Sequence, residues 1–186
     1  MRTDLEITQI VHKTIKSIWE NEIQSDYNNI WFMNEDTLKN ALYFHMRNKL
    51  ETVLAENNLR IFTEFNDAEF SGSGFRPDMV IARIDMDSDA KYWRQAVINC
   101  PIVIELKFKS TFADKETIYA DYDKLEKYIE TLGINGKVYM ATIWECEDDK
   151  TSWIDVNAVW AKGKVTELNA SLHWGDCEPQ FYIVEH

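Results

Sequence analysis

Cysteine is scarce in this chain of 186 residues, and its pattern excludes a disulfide scaffold. Cys100, Cys146 and Cys177 are odd in number and widely spaced, with no CxxC pair, so a reducing cytoplasm is the expected home. The opening MRTDLEITQI carries acidic and polar groups where a secretory segment has an apolar run. No stretch approaches the roughly 20 consecutive apolar residues of a membrane span. His12, His45, His173 and His186 show no zinc spacing. Ser71-Gly-Ser-Gly74 fits neither the P-loop nor the dinucleotide pattern, and no GxSxG elbow occurs. Internal repeats, low-complexity segments and linkers are also missing, so residues 1–186 read as one domain.

Positive charge is the other shortage. Twenty Lys and Arg face 32 Asp and Glu, for a formal net charge of -12. Surfaces that hold nucleic acid are usually basic, because phosphate neutralisation supplies most of the affinity. The balance argues against unaided gripping of long duplex DNA, while leaving room for a small basic groove, a metal-bridged contact or a basic partner. The acids are densest at Glu145, Glu147, Asp148 and Asp149, which read as a solvated turn.

Apolar residues make up 45% of the chain and aromatics 13%, the composition of a globular core. Seven tryptophans are scattered through predicted elements and read as core before base-stacking platforms. Ile7, Ile10, Val11, Ile15, Ile18 and Trp19 mark one face of a helix over residues 5–22, with a break at Asn28-Asn29. A second helix starts at Asn34, an N-cap followed by Glu35 and Asp36. Its stripe is Leu38, Ala41, Leu42, His45, Met46, Leu50 and Leu54.

The period then changes. Residues 59–65 and 79–84 read as strands, with Ser71-Gly-Ser-Gly74 as a turn between them. A short helix is expected near Trp93. Ile102-Val-Ile104 runs into Glu105-Leu-Lys107 as a buried strand. Residues 118–132 read as a helix ended by Gly133, and 138–144 as another buried strand. Segments 153–160, 165–174 and 181–184 lean to β. The whole indicates an α/β domain on a mixed central sheet flanked by helices. N-terminal helices occupy about 1–57, the core about 35–144, and a β-rich C-terminal extension about 151–186.

Two strings carry chemistry: Phe75-Arg-Pro-Asp78-Met-Val-Ile81 and Ile102-Val-Ile-Glu105-Leu-Lys107. Each sets a carboxylate beside apolar, β-branched residues. A buried carboxylate without a partner is costly, and two of them repel. If the strands are neighbours, a divalent cation would neutralise Asp78 and Glu105, and hard oxygen ligands suit Mg²⁺ or Mn²⁺. Alternation puts Glu105 and Lys107 on one strand face, with Leu106 turned to the core and its backbone carbonyl available as a further ligand. A carboxylate and an ammonium together at a metal suit phosphodiester hydrolysis. The metal acidifies water and stabilises charge on phosphorus, and the lysine orients the attacking water.

In Pro77-Asp78 followed by Glu105-Leu-Lys107, with a helix before and a helix and strand after, the chain resembles the PD-(D/E)XK, or restriction-endonuclease-like, nuclease superfamily over residues 35–144. The resemblance implies a restriction-endonuclease-like core: a helix, a three-strand meander, a helix and a further strand. It implies Asp78 and Glu105 as metal ligands and Lys107 as the catalytic lysine. An acid on the preceding helix often assists; Glu35 is its first counterpart here and Asp36 the next. Glu64 is either a further site acid or a solvent-facing strand acid. Lys124 and Tyr128, at i and i+4, share a helix face that is either solvated or directed at substrate. Lys109 would contact phosphate if its strand extends that far.

The expectation is a Mg²⁺-dependent nuclease, with DNA placed ahead of RNA as substrate and a homodimer or basic protein partner allowed. The alternative is a non-catalytic interaction or regulatory protein on a nuclease-like fold, working with a basic partner subunit.

Overall fold

A computed structural model describes residues 2–66, 76–110, 116–131, 136–147, 151–155, 157–173, 175 and 178–186. The sequence-predicted turn at 71–74, the helix stop at Gly133, and Asp148, Asp149, Trp174 and Cys177 lie outside those residues.

Helix α1 (Asp4–Ile18) opens on a capping box in which Thr3 accepts from the Glu6 N–H and Glu6 accepts from the Thr3 N–H. It buries Ile7, Val11, Ile15 and Ile18. The expected single helix continues as a π-helical turn (Trp19–Ile23) and then α2 (Gln24–Asn28). This wider turn keeps both Trp19 and Ile23 in the core, and the Trp19 indole donates to the Asn169 carbonyl at 3.2 Å. The break falls where expected, after Asn28.

Helix α3 (Glu35–Glu56) starts at Asn34, whose side chain accepts from the Thr37 N–H at 2.9 Å. Leu38, Leu42, Met46, Leu50 and Leu54 form its buried stripe. His45 departs from the expected core stripe, because Asp26 draws its Nε2 to 2.7 Å at the helix flank.

Six strands form one sheet in the order β1-β2-β3-β4-β5-β6: β1 (Leu59–Thr63), β2 (Met79–Ile84), β3 (Val97–Lys109), β4 (Lys137–Glu147), β5 (Val165–Leu172) and β6 (Gln180–Glu185). The first three make an antiparallel meander. Helix α4 (Glu116–Thr131) lies between β3 and β4 in the chain, and those strands pair in parallel. β4 and β5 are parallel, and β6 returns antiparallel. The protein is thus mixed α/β, a six-stranded mixed sheet flanked by helices.

Alternation along the strands builds two cores. Ile61, Met79, Ile81, Ile102, Ile104 and Leu106 face α1 and α3. Val80, Ala82, Val103, Val138 and Met140 face α4, which contributes Ile118, Tyr122, Leu125 and Tyr128. The run Ile102-Val-Ile104 is apolar throughout because β3 is covered on both faces. Among the described residues no helix is long and apolar enough to cross a membrane.

Five expectations need correction. Strand β1 stops at Thr63, two residues early, because Glu64 takes a positive φ of 51°. Among the described residues of segment 153–160 there is no strand; the buried Glu167 carboxylate takes the Trp153 and Ile154 N–H groups that a ladder would need, and a 3₁₀ turn (Val159–Ala161) follows. Glu145 and Glu147 lie on β4 and not in a turn, and the Tyr27 hydroxyl donates to Glu145 at 2.8 Å. Trp31 is not core: Ile30, at φ 58°, turns Phe32 inward and leaves Trp31 74% exposed. The C-terminal strands, expected as an extension, complete the central sheet.

Candidate active site

The site arises from a mismatch in strand length. β2 begins at Met79, opposite Ile104, whereas β3 runs on to Lys109. From Glu105 onward β3 pairs with β4 alone among the described strands, which leaves a notch in the hydrogen-bond ladder on the side toward β2. Asp78 stands at its lip, one residue before β2, and its Oδ2 accepts the Leu106 N–H at 2.9 Å. A strand residue presents its N–H and C=O to the same neighbour. The Leu106 carbonyl therefore faces the same notch.

Glu105 is almost enclosed, at 4% exposure. The Tyr128 hydroxyl, on α4, donates to its Oε1 at 2.6 Å. Burial raises the Glu105 pKa well above the usual carboxylate range, and the charge of Asp78 and a hydrogen bond shared with it push the same way; Tyr128 and Lys124 offset part of this.

Lys107 projects from the same face of β3 as Glu105. Its Nζ lies 2.6 Å from Asp121 Oδ2 on α4 and 3.3 Å from Glu35 Oε2 at the start of α3. Burial alone would lower its pKa, but Asp121 and Glu35 outweigh burial and hold the ammonium above its usual range. Lys124 pairs with the other oxygen of Asp121. It is likewise raised against burial, chiefly by Asp121.

On the other side of the notch, the buried Lys39 of α3 reaches Glu64 and lies 3.4 Å from Asp36 and 3.8 Å from Asp78 Oδ1. Arg76 pairs with Glu64 as well. Burial opposes the Lys39 charge, while the Glu64 hydrogen bond and the charge of Asp78 raise its pKa.

The structure therefore brings Asp78, Glu105, Leu106, Lys107 and Glu35 together. Asp36 and Glu64 reach the site through Lys39, Lys124 reaches it through Asp121, and Tyr128 touches Glu105 directly. β3 extends to Lys109, which pairs with Trp144 two residues beyond Lys107. Sequence reasoning passed over Lys39 and Asp121. Asp121 is three residues before Lys124, so helical spacing was its signal; Lys39, matched by Glu64 and Asp78 far along the chain, carried none.

Among the described residues no three His, Cys, Asp or Glu side chains converge as a ready-made cation cage. Asp78, Glu105 and the Leu106 carbonyl form a smaller oxygen set. It fits a hard cation such as Mg²⁺, which takes one or two carboxylates and keeps several waters. Asp78 has Lys39 3.8 Å from its Oδ1, whereas Glu105, nearly solvent-free, has the Tyr128 hydroxyl and the more distant charge of Lys124 to set against the charge of Asp78. Comparisons of the chain with protein-family models, curated proteins and solved structures find no match.

Proposed function

We propose that this chain is a Mg²⁺-dependent nuclease of the PD-(D/E)XK type, hydrolysing phosphodiester bonds in nucleic acid, with DNA ahead of RNA. The observation that carries the reading is the convergence of Asp78, Glu105 and Lys107 at the notch where β3 outruns β2. The order α3, β1-β2-β3 meander, α4, parallel β4 supports a restriction-endonuclease-like core.

Asp78, Glu105 and the Leu106 carbonyl would hold the cation. When bound, it supplies counter-charge to the two acids and Lewis acidity toward water and the scissile phosphate. The Leu106 N–H fixes one oxygen of Asp78, and the Tyr128 hydroxyl fixes one of Glu105, so both carboxylates are oriented before substrate arrives. Lys107 stays charged between Asp121 and Glu35. Exchanging one of these for substrate lets its ammonium orient the attacking water or hold a phosphoryl oxygen. Lys124, by sharing Asp121, weakens the grip on Lys107 and eases that exchange.

Incubation with supercoiled, linear and single-stranded DNA and with RNA, in Mg²⁺ or Mn²⁺, tests the reading. Cleavage should vanish in Glu105→Ala and Lys107→Ala; cleavage that survives both belongs to another site or a contaminant.

One observation favours the second reading, a non-catalytic protein with a basic partner: the net charge of -12, with Lys39, Lys107 and Lys124 all committed to internal acids. Calorimetric titration with Mn²⁺ separates the two. Equal weak binding by the native protein and Asp78→Ala would favour the partner-dependent protein.

A further inference from the structure

Lysine is almost never buried unless its charge is matched. Lys39 is 7% exposed, and the groups matching it are carboxylates from three segments: Asp36 on α3, Glu64 after β1, and Asp78 before β2. Asp36 is mostly exposed, so Glu64 and Asp78 carry most of the pairing. Glu64 is held there firmly. It adopts the left-handed backbone region, its N–H donates to the Asp78 carbonyl at 2.8 Å, and Arg76 pairs with its other oxygen.

Building on the metal-dependent reading, we propose that the Lys39 ammonium stands where a second divalent cation would otherwise sit, so that the site loads a single ion. Two-cation phosphodiesterase sites place their ions about 3.5–4 Å apart, which calls for carboxylates on both sides of a shared ligand. The two oxygens of Asp78 face different neighbours: Oδ2 the Leu106 N–H beside Glu105, Oδ1 the Lys39 ammonium 3.8 Å away. Charge balance agrees. Asp36, Glu64, Asp78 and Glu105, when ionised, face Lys39 and Arg76, leaving the counter-charge of one divalent ion. Lys39 is thus a positioning residue, which holds Asp78 and Glu64 in place from the same helix that brings Glu35 to Lys107.

The test is the number of Mn²⁺ ions bound, read from the free-ion signal in electron paramagnetic resonance. Wild type and Lys39→Arg should bind one ion, and Lys39→Ala a second. Lys39→Gln, close in size and uncharged, should also bind two and serves if the alanine variant does not fold. Two ions on the wild type, or one on wild type and both uncharged variants, would overturn the role of Lys39 and leave the metal site standing. No ion on the wild type would overturn the metal-dependent reading itself, and this inference with it.

Discussion

The Tyr128 hydroxyl donates to Glu105 Oε1 at 2.6 Å across the packing of α4 on β3. The bond gives a nearly enclosed carboxyl one fixed orientation. Tyr128→Phe removes the donor without altering the shape of the core. The expected loss is about 1 kcal/mol of stability, as for a neutral hydrogen bond, together with a further rise in the Glu105 pKa. Urea denaturation measures the first, and weakened Mn²⁺ binding near neutral pH reports the second. Unchanged values of both would remove Tyr128 from the site.

The pH dependence of stability follows from Glu105. Its folded pKa is raised, so the folded state keeps a proton that the unfolded chain releases near pH 4.5. Its contribution is full below that point and is lost as pH rises through the folded value, because the folded form then binds more protons than the unfolded. Metal-free wild type should therefore lose Tm as pH climbs above about 5, more steeply than Glu105→Gln. Mg²⁺ should restore the loss at the upper end. Parallel Tm profiles for the two proteins would contradict the assignment.

Lys107 is held by Asp121 and Glu35, and not by Asp78 or Glu105, the two carboxylates proposed to hold the cation. Lys107→Met should leave Mn²⁺ affinity within about twofold while cleavage falls on the order of 100-fold or more, the usual contribution of a positioned proton-transfer or charge-stabilising group. Parallel loss of metal binding and cleavage would make Lys107 a structural counter-ion.

Much of this arrangement was legible locally. Asn34 announces α3 because a capping side chain acts within three residues, and β2 is readable over Met79–Ile84 because its apolar run is short and bounded. Glu105 and Lys107 share a face by strand geometry alone. Lys39 was not legible, since its burial depends on Glu64 and Asp78, 25 and 39 residues away in the chain. Segment 153–160 misled for the same reason. Its Trp and Val content favours a strand, but a carboxylate on β5 captures its backbone donors. Long-range charge pairing leaves no periodic trace.

Ile30 offers a test of backbone strain apart from the site. It is a β-branched residue at φ 58°, and its side chain is 74% exposed, so little packing compensates for the conformation. Asparagine tolerates that region. Ile30→Asn should raise stability by about 1 kcal/mol, read as a higher urea midpoint with an unchanged slope. A lower midpoint would mean that the exposed isoleucine makes contacts that stabilise the fold.

Glu167 gives the largest predicted effect outside the site. It lies on β5 with no exposed surface, and its two oxygens receive the Tyr122 and Ser152 hydroxyls, the Trp153 and Ile154 N–H groups and the Asn169 amide, with His186 Nε2 at 2.7 Å. This one carboxylate ties α4, segment 151–155 and the end of β6 to the sheet. Glu167→Ala leaves those buried donors without an acceptor and opens a cavity. The expected cost is about 3–5 kcal/mol, as for breaking a buried charged network, and a large part of the stability of a domain this size. Glu167→Gln keeps one acceptor oxygen but brings its own donors into a crowd of donors, so it should recover less than half of the loss. Because Glu167 touches none of Asp78, Glu105 or Lys107, the fraction that remains folded should bind Mn²⁺ as wild type does. Denaturant melts with and without Mn²⁺ check both halves of the prediction: the midpoint should drop, and the increment added by the metal should not.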